Sequence, residues 1–359
     1  MPVFPDKLHH HIFFGDDALN HLEKFLAEKY SAVQKFILTD ENTSKHCLPV
    51  LLKNVPSLAS AAILSMKPGE KNKNLASCIE IWKQLNAGGA RRNSIVLNLG
   101  GGVLCDTGGF SSSVYLRGID FIHIPTTLLS MADASIGGKT GIDLEGLKNR
   151  LGAFAFPKAV ITYAKFLDTL PQREINAGFA EIIKQALLCG EKLWSKVKRV
   201  EPGSKNISEE IISETLLFKA GIVAEDPYEK GSRAIFNFGH TIGHAIETCS
   251  LIHDEDSLRH GEAVAAGMIC ALHLCSEFEN FPKELSEETC SLIKAWFPWL
   301  RINFSDDEII SHIKFDKKKS GKPVRFVLLK AIEEPVITEK ITEENIRSSI
   351  IFARNYLNV

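Results

Sequence analysis

Apolar, β-branched runs recur through the first half of the chain: HIFFG, KFILTD, AAILSM, SIVLNLG, DFIHIPTT and AVITYA. Each has the length of a buried strand. Between several of them lie longer stretches with apolar residues at helical spacing, notably 17–29 and 71–86. Strands alternating with helices imply a parallel α/β sheet. From about residue 170 the period changes to long helical segments, around 171–188, 206–225, 232–248, 260–277 and 283–296. Late in the chain VRFVLLK and EPVITEK read as a small hairpin, followed by a closing helix with Thr342 as cap and Ile346, Ile350 and Ala353 on one face. The change of period puts a boundary near residues 169–171. It predicts an α/β domain over 1–170 and a mostly helical domain over 171–359.

At 359 residues and 45% hydrophobic, the chain can build a core for each domain. Its net charge of −2, from 42 basic and 44 acidic residues, gives no bulk attraction to nucleic acid or an anionic membrane, so any anion site must be local. The eight cysteines (47, 78, 105, 189, 249, 270, 275 and 290) contain no CxxC pair and read as reduced, buried thiols. MPVFPDKLHHH has no apolar signal core, and no later run approaches the roughly 18 apolar residues of a membrane span. A cytoplasmic protein is expected, and His9 to His11 are expected to begin a strand.

LNLGGGVLCDTGGF, residues 97–110, reads as a strand ending in glycines and turning into a helix. Backbone amides at such a helix start can receive a pyrophosphate, although Cys105 stands where the third glycine of GxGxxG would fall and a plain tight turn has the same appearance. In TDEN, Asp40 and Asn42 follow the second strand and could hydrogen-bond ribose or adenine. Residues 124–154 combine Thr126, Thr127, Asp133, Lys139, Lys148 and Asn149 with glycines 137, 138, 141, 146 and 152. That density of glycine is too irregular for a long helix and predicts polar loops at strand ends, where α/β folds place ligands. Singly, Lys139 and Lys148 read as solvated surface charges; with Arg117 they can clamp a phosphate or carboxylate.

FNFGHTIGHAIET, residues 236–248, sets His240 and His244 one helical turn apart, each preceded by a glycine. Glycine in a helix interior costs roughly 1 kcal/mol relative to alanine, so something compensates. Residues i and i+4 share a face, so both imidazoles can address one point while the glycines admit a close neighbour. That suits a metal, and equally a pair of core histidines. GFAEIIKQALL puts Glu181 in an apolar helix with Lys184 three residues on, either an intrahelical ion pair or a carboxylate ligand. RHGEAVAAGM opens an apolar helix with His260, as cap or inward-facing ligand. Glu181 with two of His240, His244 and His260 supplies a two-histidine, one-carboxylate zinc site, leaving the third histidine for proton transfer.

Taken in order, the glycine loop, IPTTLL, GGKTG, KN, AEIIK, NFGHTIGHAIE and HGEAVAAGM resemble the 3-dehydroquinate synthase family from about residue 35 to 330. The resemblance implies an N-terminal NAD-binding α/β domain with a Rossmann-like parallel sheet, a C-terminal helical metal domain, and an active site in the cleft between them. It makes Glu181, His240 and His260 the ligands of Zn2+ or Co2+ and leaves His244 as a proton-transfer residue. Asp40, Asn42, Glu70, Lys73, Gly101, Gly102, Val103, Asp106, Thr126 and Thr127 become NAD+ contacts, completed by Phe166, Thr169 and Leu170. Arg117, Asp133, Lys139, Lys148, Asn149, Lys184, Lys219, Arg233, Asn237, Lys317 and Lys318 become substrate contacts. Glu229 matches a position with a proton-accepting role. The implied substrate is the small sugar-phosphate acid 3-deoxy-D-arabino-heptulosonate 7-phosphate, and the implied assembly is a homodimer.

Many family members carry glycine where this chain has Cys105, serine at Ala134, and a histidine-proline pair near Leu144 and Glu145. None of these changes removes an implied ligand or anion contact. Sedoheptulose 7-phosphate cyclases are the second reading, although they tend to differ where this chain keeps Arg233, Asn237 and the late lysine pair. Dehydrogenases of the glycerol type would need no phosphate clamp. A non-catalytic NAD-binding protein would not need the histidines.

Overall fold

The computed structural model describes Pro5, residues 8–145, 147–320 and 324–358, excluding the side chains of 315–320. The side chains of Lys317 and Lys318, and all of Gly146, therefore lie outside the described residues. The chain forms two compact units, Met1–Pro171 with Ser208–Tyr228 and Gln172–Ile207 with Glu229–Val359. A single cut at residue 170 assigns the helix Glu209–Glu225 to the second domain, but this helix packs with the first, against the turn Ser130–Ala134. Among the described residues, no helix is long and apolar enough to cross a membrane, and none of the eight cysteines is in a disulfide.

The described strands of the first unit are β1 (His11–Phe14), β2 (Lys35–Thr39), β3 (Ala62–Ser65), β4 (Ile95–Gly100), β5 (Asp120–Pro125), β6 (Lys139–Leu144), β7 (Leu147–Phe154) and β8 (Ala159–Thr162). Six of them make a parallel sheet in the order β1-β8-β5-β4-β2-β3. Residues of β4 and β8 are buried throughout, which is why these strands read as unbroken apolar runs. β1 begins only at His11; His9 and His10 precede it, and His10 is buried near Phe156.

The connection leaving β2 runs to β3 on one side, whereas the one leaving β4 runs to β5 on the other. The order therefore reverses between β2 and β4, and open α/β sheets bind ligands outside the carboxyl ends of their strands at such a point. Residues 139–154, where the glycines predict polar loops, instead form the antiparallel β6–β7 hairpin. Gly141 faces Gly152 across it, and a Cβ on either would meet the opposite backbone at 2.9 or 2.6 Å. The glycines serve close strand approach here, a use that composition alone does not separate from a loop.

In the second unit the helices Gln172–Cys189, His240–His253, His260–Phe278 and Glu343–Asn358 pack around the third of these, with a hairpin of β9 (Phe326–Leu329) and β10 (Pro335–Thr338). The stretch 232–248, expected as one helix, is divided. A short turn, Ser232–Asn237, ends before Gly239, whose φ of 75° no side chain adopts comfortably, and the helix starts at His240. A Cβ on Gly267 would lie 2.1 Å from the Gly239 carbonyl oxygen, and one on Gly243 would lie 3.0 Å from that of Ala263. On the other side, a Cβ on Gly261 would lie 1.8 Å from the Ala177 oxygen. Backbone contact at these points holds together the three helices that carry Glu181, the His240–His244 pair and His260.

Replacing Gly267 by alanine is expected to lower stability by about 1–3 kcal/mol, because the helices must separate. Gly221 has open space around it in its helix, so Gly221→Ala should raise stability by up to about 1 kcal/mol. Denaturant unfolding of the two variants checks both signs.

Candidate active site

Glu181 is fully buried in the helix Gln172–Cys189. Lys184, one turn on and also buried, brings Nζ to 2.5 Å from its Oε2. The other oxygen, Oε1, lies 3.4 Å from Nε2 of His240 and 3.4 Å from Nε2 of His260. Neither carboxylate oxygen receives a hydrogen bond of ordinary geometry. Burial favours the neutral acid, but the Lys184 ammonium beside it outweighs this and the Glu181 carboxyl stays well below the usual carboxylate range. Burial and the Lys184 charge push His240 down, so its imidazole stays neutral.

The other ring nitrogens fix the tautomers. His240 Nδ1 is 3.1 Å from the Phe238 carbonyl oxygen, which can only accept, so Nδ1 donates and Nε2 keeps its lone pair. His260 Nδ1 donates likewise to Glu247 Oε2 at 3.1 Å. Two imidazole lone pairs thus face one carboxylate oxygen, an arrangement that a divalent cation turns from repulsive to favourable. His244 stands beside them: ligand atoms of His240, His244 and His260 all lie within 4.8 Å of one another. The donor set fits zinc or cobalt, with the outward nitrogens oriented as metal-binding histidines require.

One turn before His240, Asn237 donates from Nδ2 to Glu229 Oε1 at 3.1 Å, and Arg233 is buried in the same short turn. Lys184 Nζ sits 5.7 Å from the centre of the Phe236 ring, so the turn also packs on the Glu181 cluster. In the second unit, the short turn that carries Arg233 and Asn237 therefore packs against both the helix of Lys184 and the helix that begins at His240.

In the first unit, most of the expected dinucleotide contacts follow the carboxyl ends of the sheet strands. Gly101 caps the helix Gly102–Val114 directly after β4. A Cβ on Gly101 would meet Thr127 at 2.9 Å, so the backbone there is open only because no side chain fills it. Thr126 and Thr127 follow β5, and Phe166, Thr169 and Leu170 follow β8. A groove of about 590 Å³ opens beyond β2 and β3, lined by Asp40, Met66, Lys67, Asn72 and Asn74 among others. Asp40 also caps the helix Glu41–His46 by accepting from the Thr43 amide at 2.8 Å, while Asn42 is exposed on that helix. Cys105 points inward, 3.7 Å from the Gly100 oxygen, and burial pushes its thiol up to about 12.

Residues expected to divide between cofactor and substrate are joined here in one network. Lys73 Nζ bonds Asp106 Oδ2 at 2.6 Å and Asn149 Oδ1 at 2.7 Å, and Lys148 Nζ pairs with Glu70 Oε1 at 2.8 Å. Asp143, which sequence reasoning missed, completes it by accepting from the Asn149 amide at 2.8 Å. Lys219 pairs with Asp133 at 2.6 Å. Lys139 begins β6 with an exposed side chain, and Arg117 precedes β5, at the amino end of the sheet and away from the glycine loop. Glu247 was also missed, although its place three residues after His244 puts it on the histidine face of the helix.

The family model described as 3-dehydroquinate synthase N-terminal matches residues 63–177, and the C-terminal model matches 178–319. The chain is 39% identical over 347 residues to a 3-dehydroquinate synthase of Parabacteroides distasonis, covering 96% of this chain and 97% of that one. It is 36% identical to one from Leptospira interrogans, covering 91% of each. Among solved structures, it is similar to a 2-deoxy-scyllo-inosose synthase complexed with carbaglucose-6-phosphate, NAD+ and Co2+, with a TM-score of 0.81, 25% identity and 94% and 95% of the two chains covered. A 2-epi-5-epi-valiolone synthase from Streptomyces hygroscopicus, with NAD+ and Zn2+ bound, shares the fold at a TM-score of 0.84, with 22% identity over 99% of each chain.

Replacing Lys73 by methionine would leave the half-buried Asp106 carboxylate without its cation. The expected loss is about 1–3 kcal/mol of stability, read as a lower denaturant midpoint.

Proposed function

The chain belongs to the 3-dehydroquinate synthase family, and on that basis we propose that it converts 3-deoxy-D-arabino-heptulosonate 7-phosphate to 3-dehydroquinate and phosphate. The observation that carries this reading is the pair of Nε2 lone pairs, on His240 and His260, aimed at the buried Glu181 oxygen. Glu181, His240 and His260 would hold Zn2+ or Co2+. NAD+ supplies reversible hydride transfer at the C5 carbon of the substrate, and the metal supplies polarisation of the oxygen there.

The remaining tasks fall to the chain's own groups. His244, beside the metal-facing nitrogens, takes and returns the proton of the hydroxyl being oxidised. Lys139, Lys148, Asn149, Lys219, Arg233 and Asn237 bind the substrate's phosphate, carboxylate and hydroxyls, with Asp133, Lys184 and the Lys317 and Lys318 pair in the same role. Arg117, at the amino end of the sheet, does not join them within one protomer. Glu229 accepts a proton. The ketone at C5 acidifies the C6 proton, whose loss expels phosphate, and the phosphate oxygens themselves are within intramolecular reach of that proton. Once the C5 hydroxyl is restored, ring opening and an intramolecular aldol step complete the product. Asp40, Asn42, Glu70, Lys73, residues 101–103, Asp106, Thr126, Thr127, Phe166, Thr169 and Leu170 hold the dinucleotide. We further propose a homodimer working in the cytoplasm, where thiols outside disulfides stay reduced.

Proton NMR of the protein with catalytic NAD+, zinc and 3-deoxy-D-arabino-heptulosonate 7-phosphate should show 3-dehydroquinate accumulating over many turnovers per NAD+. Unchanged substrate, with sedoheptulose 7-phosphate consumed instead, would replace this reading with the related cyclase. His260→Ala should lose metal and activity together. His244→Ala should keep the metal and lose about 10²- to 10⁴-fold in kcat; an emptied site would reverse the division of roles. Glu247→Gln, which weakens the hydrogen bond orienting His260, should cut metal affinity about 10- to 100-fold.

A further inference from the structure

On the far part of the helix His240–His253, Cys249 and His253 stand at positions i and i+4, on one face. Glu308 and His312 stand at i and i+4 on the helix Asp306–Ser320, which packs against it. Three of these side chains converge, and the fourth, His253, joins them through Glu308. Ligand atoms of Cys249, Glu308 and His312 lie within 4.8 Å of one another, the same limit that the trio of His240, His244 and His260 meets. His253 Nε2 is 2.5 Å from Glu308 Oε1. Cys249 is fully buried, Glu308 and His312 are half-buried, and His253 is exposed.

We propose that Cys249, His253, Glu308 and His312 form a second metal site, separate from the one at Glu181, that takes zinc or a similar divalent cation and clamps the two helices together. One sulfur, two nitrogens and one carboxylate oxygen make a closed tetrahedral set with no position left for substrate, as structural zinc sites have. Around such an ion the ligand atoms sit about 3.5 Å apart, so small rotamer changes close the cluster. A hydrogen-bonded His253–Glu308 pair by itself accounts for neither Cys249 nor His312 turning toward the same carboxylate. Burial pushes the Cys249 thiol up to about 12, and Glu308 adds to this, so the thiol keeps its proton until a cation binds and displaces it. The clamp would fix the helix whose first two turns carry His240 and His244.

Cobalt titration of the full-length protein tests this, because a thiolate ligand gives a near-ultraviolet charge-transfer band that a site made of glutamate and histidines lacks. Wild type should bind two cobalt ions per chain and show the band. His260→Ala should bind one and keep the band, whatever becomes of catalysis. Cys249→Ser should abolish the band, and His312→Ala should weaken the affinity it reports by at least about tenfold. In the His260→Ala background, zinc should raise Tm, and this rise should vanish when Cys249→Ser is added. Absence of the band at saturating cobalt, or its persistence in Cys249→Ser, overturns the proposal.

Discussion

Glu181 is a carboxylate without access to water, and a charge in that position survives only when its neighbours compensate it. Lys184, on the same helix, compensates one oxygen, and imidazole nitrogens from two other helices lie against the other, where a divalent cation would complete the compensation. Those helices can meet at this depth because Gly239, Gly243, Gly261 and Gly267 remove the side chains that would keep them apart. Packing and electrostatics are therefore one problem in the second unit.

The first unit solves a different problem with the same residue type. The rim proposed for the dinucleotide is built from strand ends, and the glycine at position 101 leaves out a side chain that would meet Thr127. Lys73, bonded to both Asp106 and Asn149, ties the first helix after that loop to the β6–β7 hairpin.

Periodicity located the strands of the sheet and the long helices because their burial is regular: β4 and β8 are apolar throughout, and the closing helix Glu343–Asn358 buries Ile346, Ile350 and Ala353 as its spacing predicts. Period failed where glycine does two jobs. At 139–154 it permits a tight hairpin and looks like a loop, and at Gly239 it ends a turn that the surrounding apolar residues make look helical. The histidine cluster was legible from i, i+4 spacing, but its assembly with Glu181 joins positions far apart in the chain, which residue pattern alone leaves open between three histidines. The Lys73–Asp106 and Lys148–Glu70 pairs were invisible for the same reason. Likewise, nothing in the local composition of the helix Glu209–Glu225 says which unit its apolar face belongs to.

That helix has a consequence for how the chain comes to be folded. The first unit is discontinuous: its last piece, Ser208–Tyr228, is synthesised only after residues 172–207, which belong to the second. A ribosome-bound chain ending at Pro171 therefore has its sheet but lacks the helix that covers the turn carrying Asp133, and Asp133 waits for Lys219. Vectorial folding cannot finish one unit before starting the other, so their maturation is interleaved in time, and a cut between the two family-model halves at residue 177 would separate the first unit from its own closing helix.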